Sequence, residues 1–356
     1  MKIGIITVHR AYNYGSVLQC FALQEYLKSL GHDVWVIDYR QKWTEATYGS
    51  FFSWYYVWQY IKAKDIHSII GYWRGRRGKD LYVSQSKLMF TSFMNKLHLT
   101  EPCRRNVPAD FDIYLIGSDQ LWSYQCVGGK DKIYTGNFKH PVGSKVIGYA
   151  ISAGVDSLYR FGEKGLKAIL DNFDRVSLRE ENNSRIVKEL TGIELPVTID
   201  PVLLPDASMW ESMINKQWQQ YNYIVIYQAR PVNGMPNYLQ EKARILARQL
   251  HCEIVELNTM NHSVEDFISA IKYAKYVMTT SFHAVVFSVL METPCFAIRL
   301  GDGLDVRYVD LLMKLGLEQE LVEKDFTPIP FTVDFYKAKK NLLAYQNASR
   351  DYLNKI

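Results

Sequence analysis

Between Tyr276 and Leu300 the chain reads YVMTTSFHAVVFSVLMETPCFAIRL, and no other stretch limits the fold so tightly. Val277 and Met278 end one apolar run. Thr279, Thr280 and Ser281 form a capping turn, and Ala284, Val285, Phe287, Ser288, Leu290 and Met291 read as a short, almost wholly apolar helix that Pro294 closes. Cys295 to Ile298 is a second run of strand length. A strand, a turn, a helix and a strand therefore follow one another within twenty-five residues, all apolar enough to need burial. His283 falls in the first turn of that helix, beside unpaired backbone N–H groups and at the positive end of the helix dipole. The position is an anion site with an imidazole at its lip. The dipole there favours the neutral ring, which suits proton exchange near neutral pH. A capping or packing histidine is the competing reading.

The chain has 356 residues, 48% of them hydrophobic, enough for two cores of ordinary size. Its net charge of +5 is concentrated between Phe51 and Thr100, where eight Lys and Arg face Asp65 and Asp80, so that 8 − 2 = +6. Cys20, Cys103, Cys126, Cys252 and Cys295 are scattered, with no C-x-x-C pair for zinc or a dithiol, and no metal site is expected. MKIGIITVHR is too short and too weakly charged for a signal peptide, and no run approaches the ~20 apolar residues of a membrane span. A cytoplasmic protein is expected.

Lys2 to Val8 is a continuous apolar strand, HRAYNYGS a polar turn, Val17 to Leu30 an amphipathic helix and Asp33 to Asp38 a strand. This βαβ opening places Asn13, Tyr14, Gly15 and Ser16 at the carboxyl edge of a parallel sheet, either as a binding loop within reach of a substrate or as a structural turn that needs Asn-Tyr-Gly for its backbone angles. There is no G-x-G-x-x-G, so no dinucleotide fingerprint. Residues 41–100 break the rhythm with Phe51, Phe52, Trp54, Tyr55, Tyr56, Trp58, Tyr60, Tyr72 and Trp73, followed by Arg74, Arg76, Arg77 and Lys79. That mixture suits the surface of an anionic bilayer, so a peripheral membrane contact through 51–79 is expected, with a helical insertion packed on its own domain as the alternative.

Phe111 to Ile116 is a strand that delivers Gly117, Ser118, Asp119, Gln120, Leu121 and Trp122. A hydroxyl, a carboxylate and an amide together suit sugar hydroxyls, and Trp122 offers a flat apolar face; a plain helix-capping turn, with Ser118 or Asp119 as the cap, is the competing reading. Ala168 to Phe173 reads as helix, and Arg175 to Ser177 as a strand leading to Arg179, a bidentate anion clamp or a partner of Glu180 or Glu181. Asp200-Pro201 in VTIDPVLL marks a strand-to-linker transition and the boundary between the halves. The second half repeats the grammar. Tyr223 to Tyr227 is a strand, a loop carries Arg230, and a helix spans Leu239 to Gln249. A strand at Glu253 to Leu257 and a helix from Val264 to Lys272 precede the opening stretch; after it come a loop, then Arg307 and a helix from Leu311 to Leu315.

Asn13-Tyr14-Gly15-Ser16-Val17-Leu18-Gln19, Gly117 to Trp122, Ser177 to Glu180, Asp200 to Leu204, Thr280 to Ser288 and Arg307 before Leu311-Leu312, taken in order, resemble the polysaccharide pyruvyl transferase family. The resemblance runs from about Lys2 to Leu317. It implies an α/β fold of two Rossmann-like domains facing each other, GT-B-like, with the helical aromatic and basic insertion in the first. The corresponding division is 1–204 (acceptor side, insertion about 41–100), 205–332 (donor side) and a helix over 333–356 returning to the first domain. It also implies transfer of pyruvate from phosphoenolpyruvate to two hydroxyls of a glycan, or of a lipid-linked oligosaccharide, as a cyclic ketal, with no other cofactor. No nucleic-acid partner is expected, and the enzyme would work in the cytoplasm, at the inner face of the membrane if 51–79 makes its contact. For that chemistry Arg179 and Arg307, with Arg230 as a third cation and Ser281 as a hydroxyl donor, are expected on the donor. His283 is expected as general acid and Asp119 as the group that takes a proton from, or orients, the attacking hydroxyl. Asn13, Tyr14, Gly15, Ser118, Gln120 and Trp122 are expected on the acceptor. Two alternatives stand beside this reading. One is a GT-B glycosyltransferase using a nucleotide sugar, for which the second half lacks an E-x7-E pattern. The other is a non-catalytic glycan- or nucleic-acid-binding module.

Overall fold

Among the described residues ten short segments form strands, and every pairing among them is parallel. A computed structural model describes residues 1–48, 61, 66–230, 232, 235 and 237–356, with the backbone alone over most of 66–79. The first half runs β1 (Lys2–Ile6), α1 (Tyr14–Ser29), β2 (Asp33–Val36), α2 (Lys42–Tyr48), α3 (Ile66–Met94), β3 (Ile113–Ile116), α4 (Tyr124–Val127), β4 (Lys145–Ile151), α5 (Val155–Leu170), β5 (Arg175–Leu178) and α6 (Glu181–Thr191). A 3-10 turn at Pro201–Leu203 and α7 (Ala207–Glu211) lead to the second half. There follow β6 (Tyr223–Tyr227), α8 (Tyr238–Leu250), β7 (Glu253–Glu256), α9 (Val264–Tyr273), β8 (Val277–Thr279), α10 (Phe282–Met291), β9 (Cys295–Ile298), α11 (Val306–Leu315), β10 (Leu321–Val322) and α12 (Phe335–Leu353).

The strand orders are β2-β1-β3-β4-β5 and β10-β9-β8-β6-β7, two Rossmann-like sheets. The chain changes direction across the sheet between β1 and β3 in the first, and between β6 and β8 in the second. Open parallel sheets bind ligands outside the carboxyl ends of the strands at such switch points. Four loops are thereby singled out: those after β1, β3, β6 and β8.

The runs KIGII, IYLI, YIVIY and CFAI are buried almost throughout because helices cover both faces of each sheet. A single apolar core passes from the first sheet through α1, α10 and α9 into the second and on to α12. Tyr14 lies inside it, stacked on Phe267 at 4.3 Å and on Phe90 at 5.2 Å, and its hydroxyl is shared between the carbonyls of Asn258 and His262. The helix α12 returns to the first sheet. There the Tyr352 hydroxyl donates to Gly148 O at 2.9 Å and Ser349 Oγ accepts from Ile199 N.

Two element boundaries differ from expectation. The helix expected at Ala168 to Phe173 is the end of α5, which begins at Val155. Gly162, at φ 63, interrupts that helix and breaks its sequence pattern. Arg307 was expected in the loop before a helix and instead occupies the first turn of α11. Much of the 51–79 segment expected to touch a membrane, and all of its aromatic and basic side chains, lies outside the described residues. No helix among the described residues is long and apolar enough to cross a membrane.

Candidate functional site

The four switch-point loops meet in a cleft of about 230 Å³ between the two sheets. Val8, Ala11, Asn13 and Ser16 come from the first of them and Asp119 and Gln120 from the second; Ala229 and Arg230 follow β6, and Thr280, Ser281 and His283 follow β8. Leu304 and Arg307 close it from the start of α11, and Cys126 from α4.

Ser281 caps α10, its hydroxyl oxygen accepting from Ala284 N, so its proton stays available to a ligand. Asn13 caps α1 in the same way by accepting from Gly15 N. The N-termini of two helices thus converge on the cleft, each with a positive end. They also approach each other closely. A Cβ on Gly15 would lie 1.9 Å from His283 Nδ1, so only glycine leaves room for the ring.

His283 is 7% exposed. Its Nε2 is sealed from solvent without a hydrogen-bond partner among the described residues, 3.6 Å from Asp200 Oδ2. Asp200 in turn accepts from Arg179 Nη1 at 2.7 Å and from Val202 N at 3.0 Å. Burial works to raise the Asp200 pKa, but His283, Arg179 and the Val202 N–H together hold it down to about 2. In the sequence this carboxylate marks only a strand-to-linker transition and part of a family motif. Its signal was a lone acid within the apolar run VTIDPVLL.

The three arginines are not equivalent. Arg179 is buried, and its Nε and Nη1 are committed to Glu180 and Asp200; Nη2 has no partner. Burial lowers its pKa, but the Glu180, Asp200 and Asp119 carboxylates outweigh that and raise it. It lines a smaller chamber behind the cleft, not the cleft itself. Arg230 donates to Thr280 O and to the Tyr308 hydroxyl and forms an ion pair with Asp302. Arg307 donates from Nε to Leu304 O and has no ion-pair partner among the described residues. Burial, and then the neighbouring Arg179 and Arg230, depress its pKa. Arg179 and Arg307 both approach the ring of Phe282, at 4.7 and 5.7 Å, so the two guanidiniums flank one side chain at the start of α10.

Asp119 sits at φ 81, a conformation uncommon for a non-glycine residue, which turns its carboxylate toward α1. One oxygen accepts from Ser16 Oγ at 3.0 Å and the other from Gln120 N at 2.8 Å. The Cys126 thiol donates to Gln120 Oε1 and has its pKa raised by burial. His9, the other histidine at this edge, is committed to Asp38 at 3.1 Å.

Three residues expected on an acceptor are placed elsewhere. Trp122 is buried against Phe173 with its N–H on Tyr134 O, so it presents no face to a sugar. The Ser118 hydroxyl donates to Ala150 O and its carbonyl accepts from Thr7. Tyr14 is the interdomain anchor already described. In each case the backbone turns the side chain into the core, at the start of α1 for Tyr14 and after β3 for Ser118 and Trp122, which residue type alone does not disclose. Among the described residues no group of three His, Cys, Asp or Glu stands close enough to hold a metal ion.

A family model described as polysaccharide pyruvyl transferase matches residues 13–302. No curated protein matches the chain. Among solved structures, the UDP-GlcNAc 2-epimerase of Methanocaldococcus jannaschii in complex with UDP-GlcNAc and UDP superposes with a TM-score of 0.45 at 12% identity, covering 98% of this chain and 93% of that one. The Neisseria meningitidis UDP-GlcNAc 2-epimerase gives 0.43 at 8% identity over 98% and 100% of the two chains. The E. coli heptosyltransferase WaaC gives 0.34 at 10% identity over 84% and 88%.

Proposed function

The chain belongs to the polysaccharide pyruvyl transferase family, and from that premise we propose that it transfers pyruvate from phosphoenolpyruvate to two hydroxyls of a glycan as a cyclic ketal. The observation that carries this reading is Arg307, a guanidinium lining the cleft with no ion-pair partner among the described residues, beside His283 and the N-terminus of α10. Such a group calls for an anion from outside the chain.

Phosphoenolpyruvate carries two anionic groups. Arg307, Ser281 and the N-terminus of α10 receive one of them. Arg230 receives the other by exchanging its Asp302 ion pair for the ligand. Arg179, held from behind by Glu180 and Asp200, adds positive charge without needing to touch. His283 protonates the enol CH2 carbon, which makes C2 electrophilic; positioned proton transfer of this kind is worth about 10²–10⁴ in rate. A sugar hydroxyl adds to C2 and gives its proton to Asp119. The C2–O bond to phosphate breaks, and a second hydroxyl closes the ketal. Of the two hydroxyl protons, one replaces the proton given to the new methyl group and the other leaves on phosphate, so the enzyme returns to its starting state. Asn13, Ser16 and Gln120 line the first-domain wall that the acceptor would face. The acceptor is a glycan or a lipid-linked oligosaccharide, and the reaction is placed in the cytoplasm with no further cofactor.

The test is incubation of the protein with phosphoenolpyruvate and a glycan library, followed by mass spectrometry and phosphate determination. The reading expects a ketal-bearing product and inorganic phosphate in equal amounts. Release of a nucleoside diphosphate from a nucleotide sugar, with no turnover of phosphoenolpyruvate, would replace it with a glycosyltransferase.

A further inference from the structure

We propose that Asp200 is the positioning carboxylate for His283, and that Nδ1 of that ring, not Nε2, is the atom that exchanges a proton with substrate. The inference rests on the reading above in giving His283 a proton to transfer, but its geometric content stands on the network itself.

Nε2 is sealed from solvent, and the carboxylate facing it is Asp200 Oδ2 at 3.6 Å. A substrate could reach Nε2 only by displacing the Asp200–Arg179 pair, whose 2.7 Å hydrogen bond is buried on both sides. Nδ1 is different. Among the described residues it has no hydrogen-bond partner either, but unlike Nε2 it is not sealed, and His283 lines the cleft. The missing side chain at Gly15 fixes the ring in this place, since a methyl there would sit 1.9 Å from Nδ1. In the neutral ring the proton therefore belongs on Nε2, facing Asp200, which leaves Nδ1 as the nitrogen free to exchange a proton. When the ring takes a second proton, Nδ1–H is the acid offered to the substrate.

The backbone holds Asp200 in turn. Its Oδ1 accepts from Val202 N in the cap of the 3-10 turn at Pro201–Leu203, and Pro201 fixes that turn. Because Oδ2 serves Arg179 and His283 together, one atom orients a buried cation and the proton-transfer ring. A tautomer held by a buried carboxylate has large kinetic weight in other acid–base sites, where exchanging the acid for its amide costs about 10⁴ in rate with little change in geometry.

The decisive measurement is the ¹⁵N spectrum of the full-length protein labelled at histidine, with the His283→Gln variant used to assign the ring. The proposal expects the neutral His283 ring as the Nε2–H tautomer in the unsubstituted protein. In Asp200→Asn it expects loss of that preference, together with a fall in kcat of about 10²–10⁴ and a much smaller change in KM for phosphoenolpyruvate. An Nδ1–H tautomer in the unsubstituted protein overturns it even if the variant fails to fold. So does an Asp200→Asn variant that keeps both tautomer and kcat. Absence of turnover in the unsubstituted protein would count against the transferase reading alone, because the tautomer is read without substrate.

Discussion

Gly15 has a larger part in this site than its size suggests, because α1 and α10 meet head to head there and the ring of His283 fills the space a side chain would need. Gly15→Ala should leave the fold intact, alanine being a better helix former than glycine, while pushing the imidazole out of position. The expected outcome is a fall in kcat of about 10²-fold, since displacements of about 1 Å cost that much, together with a loss of about 1–3 kcal/mol of stability from overpacking beside the buried ring. Unchanged turnover would show that the ring's position is immaterial. Such contacts mark the limit of sequence reading at this scale. His283, Ser281, Arg230, Asp119, Gln120, Asn13 and Arg307, picked from strand ends and motif order, all line the cleft. Asp200 was not recognised as the ring's partner, because nothing in a string of letters says that residue 200 faces residue 283. Trp122 and Tyr14 depart from expectation for the converse reason: they sit near the sheet's carboxyl edge, but the turn after β3 and the first turn of α1 bury their side chains.

The element that frames the second domain is the short strand β9, whose first residue, Cys295, donates its backbone N–H to Glu320 Oε1 at 2.9 Å. The other oxygen of Glu320 is buried without a partner, and burial pushes its pKa from the ordinary 4.5 to about 8, against the Cys295 N–H that works to lower it. The sign follows from proton binding. Below 4.5 both folded and unfolded chains hold the proton, and this residue contributes no pH dependence. From 4.5 to about 8 the unfolded chain has released it and the folded one has not, so stability falls as pH rises through that window and levels off above it. Glu320→Gln should remove this slope. Denaturation midpoints measured across the range should show the variant gaining on the unsubstituted protein as pH rises; a constant difference would mean that Glu320 ionises normally. Elements were the most legible level of this protein. Apolar runs such as KIGII, IYLI, YIVIY and CFAI announced the parallel strands. The start of α5 was hidden by Gly162 and Gly165, which break its helical pattern.

For the molecule as a whole, the shared core matters most. The two sheets do not meet through a thin polar seam; Tyr14, Phe90, Phe267, Phe287 and Trp210 form a continuous aromatic contact between them. The cleft is therefore held by a packed interface, which restricts relative domain motion. Tyr14→Ala removes a large buried side chain from both halves at once and should cost about 3–5 kcal/mol, read as a shift of a single denaturant transition. Two separated transitions in the unsubstituted protein would show that the halves fold independently. The division into two halves could be inferred from chain length and the restarted strand grammar, whereas the continuity of the core could not, since it depends on which helix faces pack. That rigid arrangement leaves one cation in the cleft with no ion-pair partner among the described residues, and the proposed chemistry starts from it. Calorimetric titration of phosphoenolpyruvate into the unsubstituted protein and into Arg307→Met tests this most directly. Saturable binding that weakens by about 10- to 100-fold in the variant is the predicted result, the loss expected for hydrogen bonds to a charged group. Equal affinity in the two proteins, or no saturable binding in the first, would contradict the assignment of the cleft.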